Sequence, residues 1–378
     1  MQLHGRSLCS LGLALALAAF PACALASEPG VSEAQCYQIV DQDGEVLASL
    51  NPDREMDPAS ITKIMTAVVA LDSGKSLDDV CTVRGIEYQS AAQLAGFVDG
   101  DTPSFRELLQ AMLIYSGNDA ADNVALSVCG SVEEFVGRMN EKAADLGLEH
   151  TRFANTHGLM AEGHHASAAD LVKLGRYALE NYPFIAEAVR MPSVTVVAGG
   201  KEVTLESTDD LIKTYEGLCG IKTGSVESGT TFLGASRRHG ISLYTCVLGC
   251  ETYDGRFDDT AALMDWAYNE HYQQMSMCRR SWPIRVESWA LGFSRKLIVT
   301  SESDSGGYVK PGREIAYSTT LCDAGLIDLD AACGYSSWSQ GTRQVACATY
   351  RSRSQLYDVP AVNIFALPLF FDVDQLAS

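Results

Sequence analysis

At 378 residues the chain is long enough for two domains and a sizeable core. A hydrophobic fraction of 47% and a charged fraction of 20% describe an ordinary globular protein. The formal net charge of −20 argues against nucleic acid or an anionic membrane surface as partner, and indicates a solvated acidic exterior.

The first 26 residues read as a secretory signal. Arg6 supplies the positive start, Leu8 to Phe20 an apolar run too short to span as a mature helix, and Ala24-Leu25-Ala26 a small-residue cleavage site. A lipoprotein signal ending at Cys23 is the competing reading, with Phe20-Pro21-Ala22 a poor version of its usual lead. Export is expected either way, placing the protein on the cell-wall or periplasmic side. Of twelve cysteines, Cys9 and Cys23 fall in this segment. The remaining ten permit disulfides, with Cys322, Cys333 and Cys347 the first candidates and Cys129 and Cys246 expected as buried thiols.

From Cys36 to Leu50, alternation around Asp43-Gly44 predicts a hairpin. Pro58-Ala59-Ser60 then opens a helix through Leu71, with Gly74 just past its end. Leu77 to Gly100 has little period and predicts loops with short strands. Ser104-Phe105-Arg106-Glu107 and Ser131-Val132-Glu133-Glu134 are capping-box patterns that each start a helix. A turn at Ser116-Gly117-Asn118 separates the first of these from a helix beginning at Asp119. Ala168 to Asn181 and Pro183 to Arg190 follow as helices, and Ser193 to Leu205 as a hairpin around Gly199-Gly200. Ile221 to Ser225, Thr230 to Ser236 and Ile241 to Leu248 read as strands, and Asp258 to Tyr268 as a helix. Strands at both ends with helices inserted between them predict a mixed α/β domain over 27–280 whose first and last segments share one sheet. From Ser281 short runs such as Leu297 to Thr300, Arg313 to Thr320, Gln344 to Tyr350 and Val362 to Leu369 predict a small β-rich domain over 281–378. No basic amphipathic anchor is evident near the acidic stretch Asp372-Val373-Asp374.

Residues three apart share a helix face, so Ser60 and Lys63 point into one space. A serine hydroxyl needs a base to become a nucleophile, and a lysine can serve only while neutral. Burial and a second cation both favour the neutral amine, and Lys222-Thr223-Gly224 offers that cation on a strand. Ser-x-x-Lys, Ser116-Gly117-Asn118 and Lys-Thr-Gly, in that order, form the pattern of penicillin-binding proteins and serine β-lactamases. Over residues 36 to 272 the chain resembles the low-molecular-weight D-alanyl-D-alanine carboxypeptidases. Met56 to Thr66, Ser116 to Ala121, Phe153 to Leu159, His164 to Asp170, Gly220 to Gly224 and Gly255-Arg256-Phe257 carry that resemblance.

The resemblance implies a β-lactamase/transpeptidase-like fold with an inserted helical subdomain, and a peptidase that trims the terminal D-alanine of peptidoglycan stem peptides. It implies Ser60 as nucleophile, Lys63 as base, and Ser116 as proton relay to the leaving amine. Asn118 would hold the peptide backbone, Lys222 and Thr223 the substrate carboxylate, and Gly224 would leave room for substrate along the strand. The backbone N–H groups of Ser60 and Ser225 would form the oxyanion hole. Arg256 is a second candidate for the carboxylate, the alternative being a surface arginine near a helix start. No cofactor or metal is expected, and β-lactam antibiotics are expected as covalent inhibitors. Where relatives carry asparagines, this chain has Ser207-Thr208-Asp209-Asp210, which puts the bracing of that loop in question.

Four alternative readings draw on these residues. An efficient β-lactamase would need a Glu-x-x-x-Asn between Asn118 and Lys222, and none occurs. A zinc peptidase could draw on His157, His164, His165 and Asp170, whose spacing fits no compact ligand motif. A catalytically dead peptidoglycan-binding module conflicts with the intact Ser60, Lys63, Ser116 and Lys222. A D,D-endopeptidase of the same family differs only in which leaving group fits.

Overall fold

The computed structural model describes residues 27–88, 92–290, 293–321 and 332–357. The N-terminal signal stretch, Cys322 and the run Val362 to Leu369 lie outside the described residues. The hairpin forms as β1 (Cys36–Asp41) and β2 (Val46–Leu50). Ser60 lies not in an α-helix but in a 3₁₀ turn, Ala59–Ile61, immediately ahead of α1 (Thr62–Asp72). A left-handed Ala59, φ +48°, turns the chain there. An alanine costs about 1–2 kcal/mol in that region, so the surrounding packing holds a strained turn at Ser60.

No named strand forms between Leu77 and Gly100, where the described residues are irregular apart from one bridge, Val80 to Ser104. Ser104 makes both halves of its capping box at the start of α2 (Phe105–Gln110). That helix loosens into a π segment, Ala111–Tyr115, which ends on Ser116 in the left-handed region, φ 72°. Asn118 begins α3 (Asn118–Cys129). At α4 (Val132–Asp145) Ser131 accepts from the Glu134 N–H, but the Glu134 carboxylate is 2.8 Å from Arg138 Nη2, one turn along. The ion pair replaces the return half of the box. Next come α5 (Ala168–Asn181), α6 (Pro183–Ala188), and the hairpin β3 (Ser193–Ala198) with β4 (Lys201–Glu206). A 3₁₀ turn, Asp210–Lys213, leads to β5 (Leu218–Val226), β6 (Gly229–Arg238), β7 (Ile241–Cys250) and α7 (Gly255–His271).

The five strands order as β2-β1-β7-β6-β5, all neighbours antiparallel, so the first strand pairs with the last strand of its sheet. Successive side chains alternate between faces, and here both faces are covered, which explains the near-continuous apolar runs. Val40, Leu233, Tyr244, Cys246 and Leu248 join the core shared with α1, α3 and α5. Ile39, Phe232, Leu243 and Val247 join the core beneath α7. Each fully buried Phe or Leu contributes about 1.5–3 kcal/mol relative to exposure. Edge strand β5 is the one laid against the Ser60 turn.

The chain turns to β structure before Ser281, because α7 runs straight into β8 (Gln273–Cys278). Then follow β9 (Ile284–Ala290), β10 (Phe293–Ser301), β11 (Ser305–Val309), β12 (Ala316–Leu321), β13 (Ala332–Gln340) and β14 (Arg343–Tyr357). They form a sheet ordered β12-β13-β14-β10-β9 and a β8–β11 pair, around Val299, Val309, Trp338 and Tyr350. Charges join this β-rich part to the β1–β2 turn: Lys310 reaches Asp41 at 3.3 Å and Glu45 at 2.6 Å, and Arg313 reaches Asp43 at 3.1 Å. Cys347, expected in a bridge, is an exposed free thiol, whereas Cys246 is a buried thiol as expected. Among the described residues no helix is long and apolar enough to cross a membrane.

Candidate active site

Three segments meet here: the Ser60 turn with α1, the start of α3 just after Ser116, and β5. Lys63 Nζ, completely buried, lies 2.9 Å from Ser60 Oγ, 2.7 Å from Asn118 Oδ1 and 2.7 Å from the carbonyl oxygen of His157. Burial first, and then the charge of Lys222, hold its ammonium well below the usual lysine range, while Asp122 and Asp119 pull the other way. A neutral amine has two N–H donors and one lone pair. In that form the amide and carbonyl oxygens would take the two donors, leaving the lone pair for Ser60 Oγ.

The turn that presents Ser60 is gripped from two sides. A Cβ on Gly224 would sit 2.7 Å from Ala59 Cβ and 3.2 Å from the Pro58 carbonyl oxygen. The missing side chain expected to make room for substrate thus admits the Ser60 turn against β5. On the other side Gly158, φ +90°, packs its Cα onto the Ala59 carbonyl and the Ser60 nitrogen. Asn155 fixes that glycine by accepting from the N–H groups of His157 (3.2 Å) and Gly158 (2.6 Å). His164 Nδ1 accepts from Ala154 N–H, so its Nε2 carries the proton toward Thr62 Oγ1, 2.9 Å away, and Thr62 donates to the Ala59 carbonyl at 2.8 Å. Burial lowers His164 to about 4, which keeps this relay neutral. Asp170 accepts from His150 N–H and Thr151 Oγ1. His164 and Asp170 of the zinc alternative are therefore loop braces, and among the described residues no group of three or more His, Cys, Asp or Glu side chains could hold a metal ion.

Lys222 is also buried, its Nζ donating to the Thr223 carbonyl at 3.1 Å. Burial and the nearby Arg256 lower it to about 7. Arg256 is 2% exposed rather than a surface arginine, and its guanidinium lies over the rings of Tyr253 (4.1 Å) and Phe257 (4.7 Å). Its Nη1 donates to the Gly224 carbonyl at 2.8 Å and to Ser225 Oγ at 2.9 Å, so it braces the strand that it was expected to assist as a carboxylate ligand. The loop ahead of β5 is braced without asparagines: Thr208 Oγ1 meets Thr223 Oγ1 at 2.5 Å, and Asp209 Oδ1 accepts from Leu211 N–H at 3.0 Å. Burial pushes Asp209 up to about 7 despite Lys222 nearby. A carboxyl raised on folding binds more protons in the folded state, so its contribution to stability falls as pH rises from the ordinary carboxylate range through about 7. Asp209→Asn should melt higher than the parent at pH 8 and close to it at pH 4, as thermal melts at the two values will show.

Sequence reasoning missed one acidic group here. Asp122, four residues after Asn118 and so on the same face of α3, is buried behind Lys63. It accepts from Tyr88 Oη at 2.7 Å and, through a very short bond, from Thr156 Oγ1. Its helix spacing was the available signal. Asp119, on the same helix, instead accepts from the N–H groups of Ala95, Gly96 and Phe97 and pins that loop beside the site.

A buried lysine facing a serine on a helix-opening turn, beside a strand carrying a second buried lysine, defines a serine enzyme of the acyl-transferring kind. A family profile described as D-alanyl-D-alanine carboxypeptidase matches residues 24–252. The chain belongs to this family. It is 30% identical over 336 residues to the D-alanyl-D-alanine carboxypeptidase DacF of Bacillus subtilis, covering 82% of each chain. It is 33% identical to DacB2 of Mycobacterium tuberculosis, covering 62% of this chain and 82% of that one. Among solved structures, penicillin-binding protein D2 of Listeria monocytogenes, in its cefotaxime-bound form, is 31% identical with a TM-score of 0.59, over 64% of this chain and all of that one. Penicillin-binding protein 5 of Haemophilus influenzae, 22% identical, shares the fold over 86% of this chain and 98% of its own, with a TM-score of 0.62.

Proposed function

We propose that the chain is a serine D-alanyl-D-alanine carboxypeptidase that removes the terminal D-alanine of peptidoglycan stem peptides through an acyl-enzyme on Ser60. The observation that carries this reading is the 2.9 Å approach of the buried Lys63 amine to Ser60 Oγ. Lys63 takes the hydroxyl proton as Oγ attacks the D-Ala carbonyl carbon, and the oxyanion faces the N–H groups of Ser60 and Ser225. Ser116 passes a proton to the departing D-alanine amine as the C–N bond breaks, and water then hydrolyses the ester. Asn118, whose Oδ1 is held by Lys63, turns its amide N–H₂ to the peptide backbone. Lys222, Thr223 and the charge of Arg256 favour the substrate's terminal carboxylate beside Gly224. β-Lactams acylate the same serine and leave slowly, because no deacylating glutamate accompanies it. The work is done outside the cytoplasm, on the cell-wall or periplasmic side, after loss of residues 1–26. Residues 27–280 act as the catalytic domain and 281–378 as an appended β-rich domain.

The test is intact-mass spectrometry after incubation with benzylpenicillin. One adduct per chain on the parent and none on Ser60→Ala, followed by D-alanine release from a D-Ala-D-Ala peptide, is the expected result. Folded parent protein that neither gains the adduct nor hydrolyses penicillin would overturn the reading.

A further inference from the structure

The charge made during acylation needs a counterpart. When Ser60 Oγ bonds to the carbonyl carbon, its proton becomes the third on Lys63 Nζ, and a buried ammonium stands where a neutral amine stood. The charge of Lys222 opposes it. Among the described residues, the acidic groups that act on Lys63 both come from α3: Asp119, occupied by the loop at 95–97, and Asp122. Asp122 is 5% exposed and tied to both segments that position the Lys63 acceptors. Through Thr156 Oγ1 it holds the strand of loop whose next residue, His157, offers its carbonyl to Lys63. Its Oδ2 is 3.9 Å from His157 Nε2, and that histidine, lowered to about 4 chiefly by burial, is neutral. Through Tyr88 Oη, which also reaches the Asn118 carbonyl at 3.3 Å, it ties down the residue whose side chain takes the other Lys63 donor.

We infer that Asp122 is a positioning residue for acylation, its carboxylate supplying the negative charge that offsets the Lys63 ammonium formed when Ser60 gives up its proton. This rests on the Ser60–Lys63 reading above. The groups facing Lys63 are Lys222 on β5, Asp119 and Asp122 on α3, and His157 from the 153–159 loop; of these, Asp122 combines negative charge with bonds to both Lys63 acceptor segments. Removing its charge leaves the neutral amine more favoured. The acidic limb of the acylation rate, where Lys63 becomes protonated, moves to lower pH. The plateau falls because a base that holds its proton less well is a weaker base.

The test measures benzylpenicillin acylation rates from pH 4 to 9 for the parent, Asp122→Asn and Tyr88→Phe. Asparagine can still accept from one hydroxyl and donate to the other, so the bracing survives while the charge goes. The limb of Asp122→Asn should move down by about one pH unit, with a plateau lower by about threefold. Tyr88→Phe keeps the charge and should leave the limb in place. If Asp122→Asn fails to fold, Asp122→Ser, small and hydroxylated, should move the limb the same way. A slower Asp122→Asn enzyme with an unmoved limb would overturn the inference and leave Asp122 a structural brace. A parent that is not acylated at any pH would instead overturn the Ser60–Lys63 reading.

Discussion

Lys63→Met should acylate with benzylpenicillin about 10²- to 10⁴-fold more slowly than the parent while keeping its fold, as stopped-flow acylation and a thermal melt will show. Methionine is close to lysine in length and apolar, so it fills the buried site without an amine. The buried cost falls on two acceptors, Asn118 Oδ1 and the His157 carbonyl, which lose their donor, while the part-buried Ser60 hydroxyl also loses its partner. Each unsatisfied buried acceptor is worth about 1–3 kcal/mol. The burial penalty that holds the amine neutral disappears at the same time and offsets part of it. Near-parental acylation by this variant would remove Lys63 as the base.

Gly158→Ala should cut acylation by about 10²-fold or more and lower the melting temperature, although Gly158 carries no reacting atom. Its Cβ would fall on the Ala59 carbonyl, with the Ser60 nitrogen 2.9 Å away. The φ of +90° adds strain for any residue with a side chain. Gly224 on β5 blocks the turn from retreating, so the Ala59–Ser60 peptide must tilt. The Ser60 N–H, proposed above as an oxyanion donor, tilts with it, and losing one such donor costs about 10²- to 10³-fold in rate. Gly163→Ala is the control: φ there is also positive, +73°, but the nearest atom, on Arg152, is 3.6 Å from the new Cβ. It should melt about as far below the parent as backbone strain alone dictates and acylate normally. Equal acylation losses in the two variants would show that strain, and not displacement of the Ser60 peptide, is responsible.

The parts of this site legible in the sequence are those whose chemistry is local. Ser60 and Lys63 are one helical turn apart, and the Asn118 turn and the Lys222 strand each announce themselves by residue type within three positions. The paired hairpins and the helices read over 168–181 and 258–268 followed from alternation and 3.6-residue period, the second extending in the structure to Gly255–His271. What escaped depends on partners far along the chain. The side-chain alternation of Phe232 and Leu233 cannot say which helix covers which face. Arg256 looks the same in sequence whether it meets a substrate or, as here, the Gly224 carbonyl. Gly224 itself reads as space for a ligand until Ala59 is seen against it. Gln273 to Cys278 and Ser305 to Val309 lack the β-branched runs that mark a strand, and pair because the folded core beside them holds them in register. Asp122 was spaced for the site, but its role depends on Thr156 and Tyr88, from two other segments.

The antiparallel pairing of Cys36 through Asp41 with Leu248 back to Leu243 sets the timetable of folding. A chain delivered N-terminus first carries its opening strand unpaired until the end of β7 has emerged. The Ser60 turn cannot be clamped against β5 before then either. Such distant closure is slow, since the loop entropy is lost before the contacts form. The Ser60–Lys63 site is thus assembled late, after almost the whole catalytic region has passed through any pore that admits only an extended chain. A nascent fragment ending ahead of Ile241 would contain Ser60, Lys63, Ser116 and Lys222, yet lack the central strand needed to bring them together.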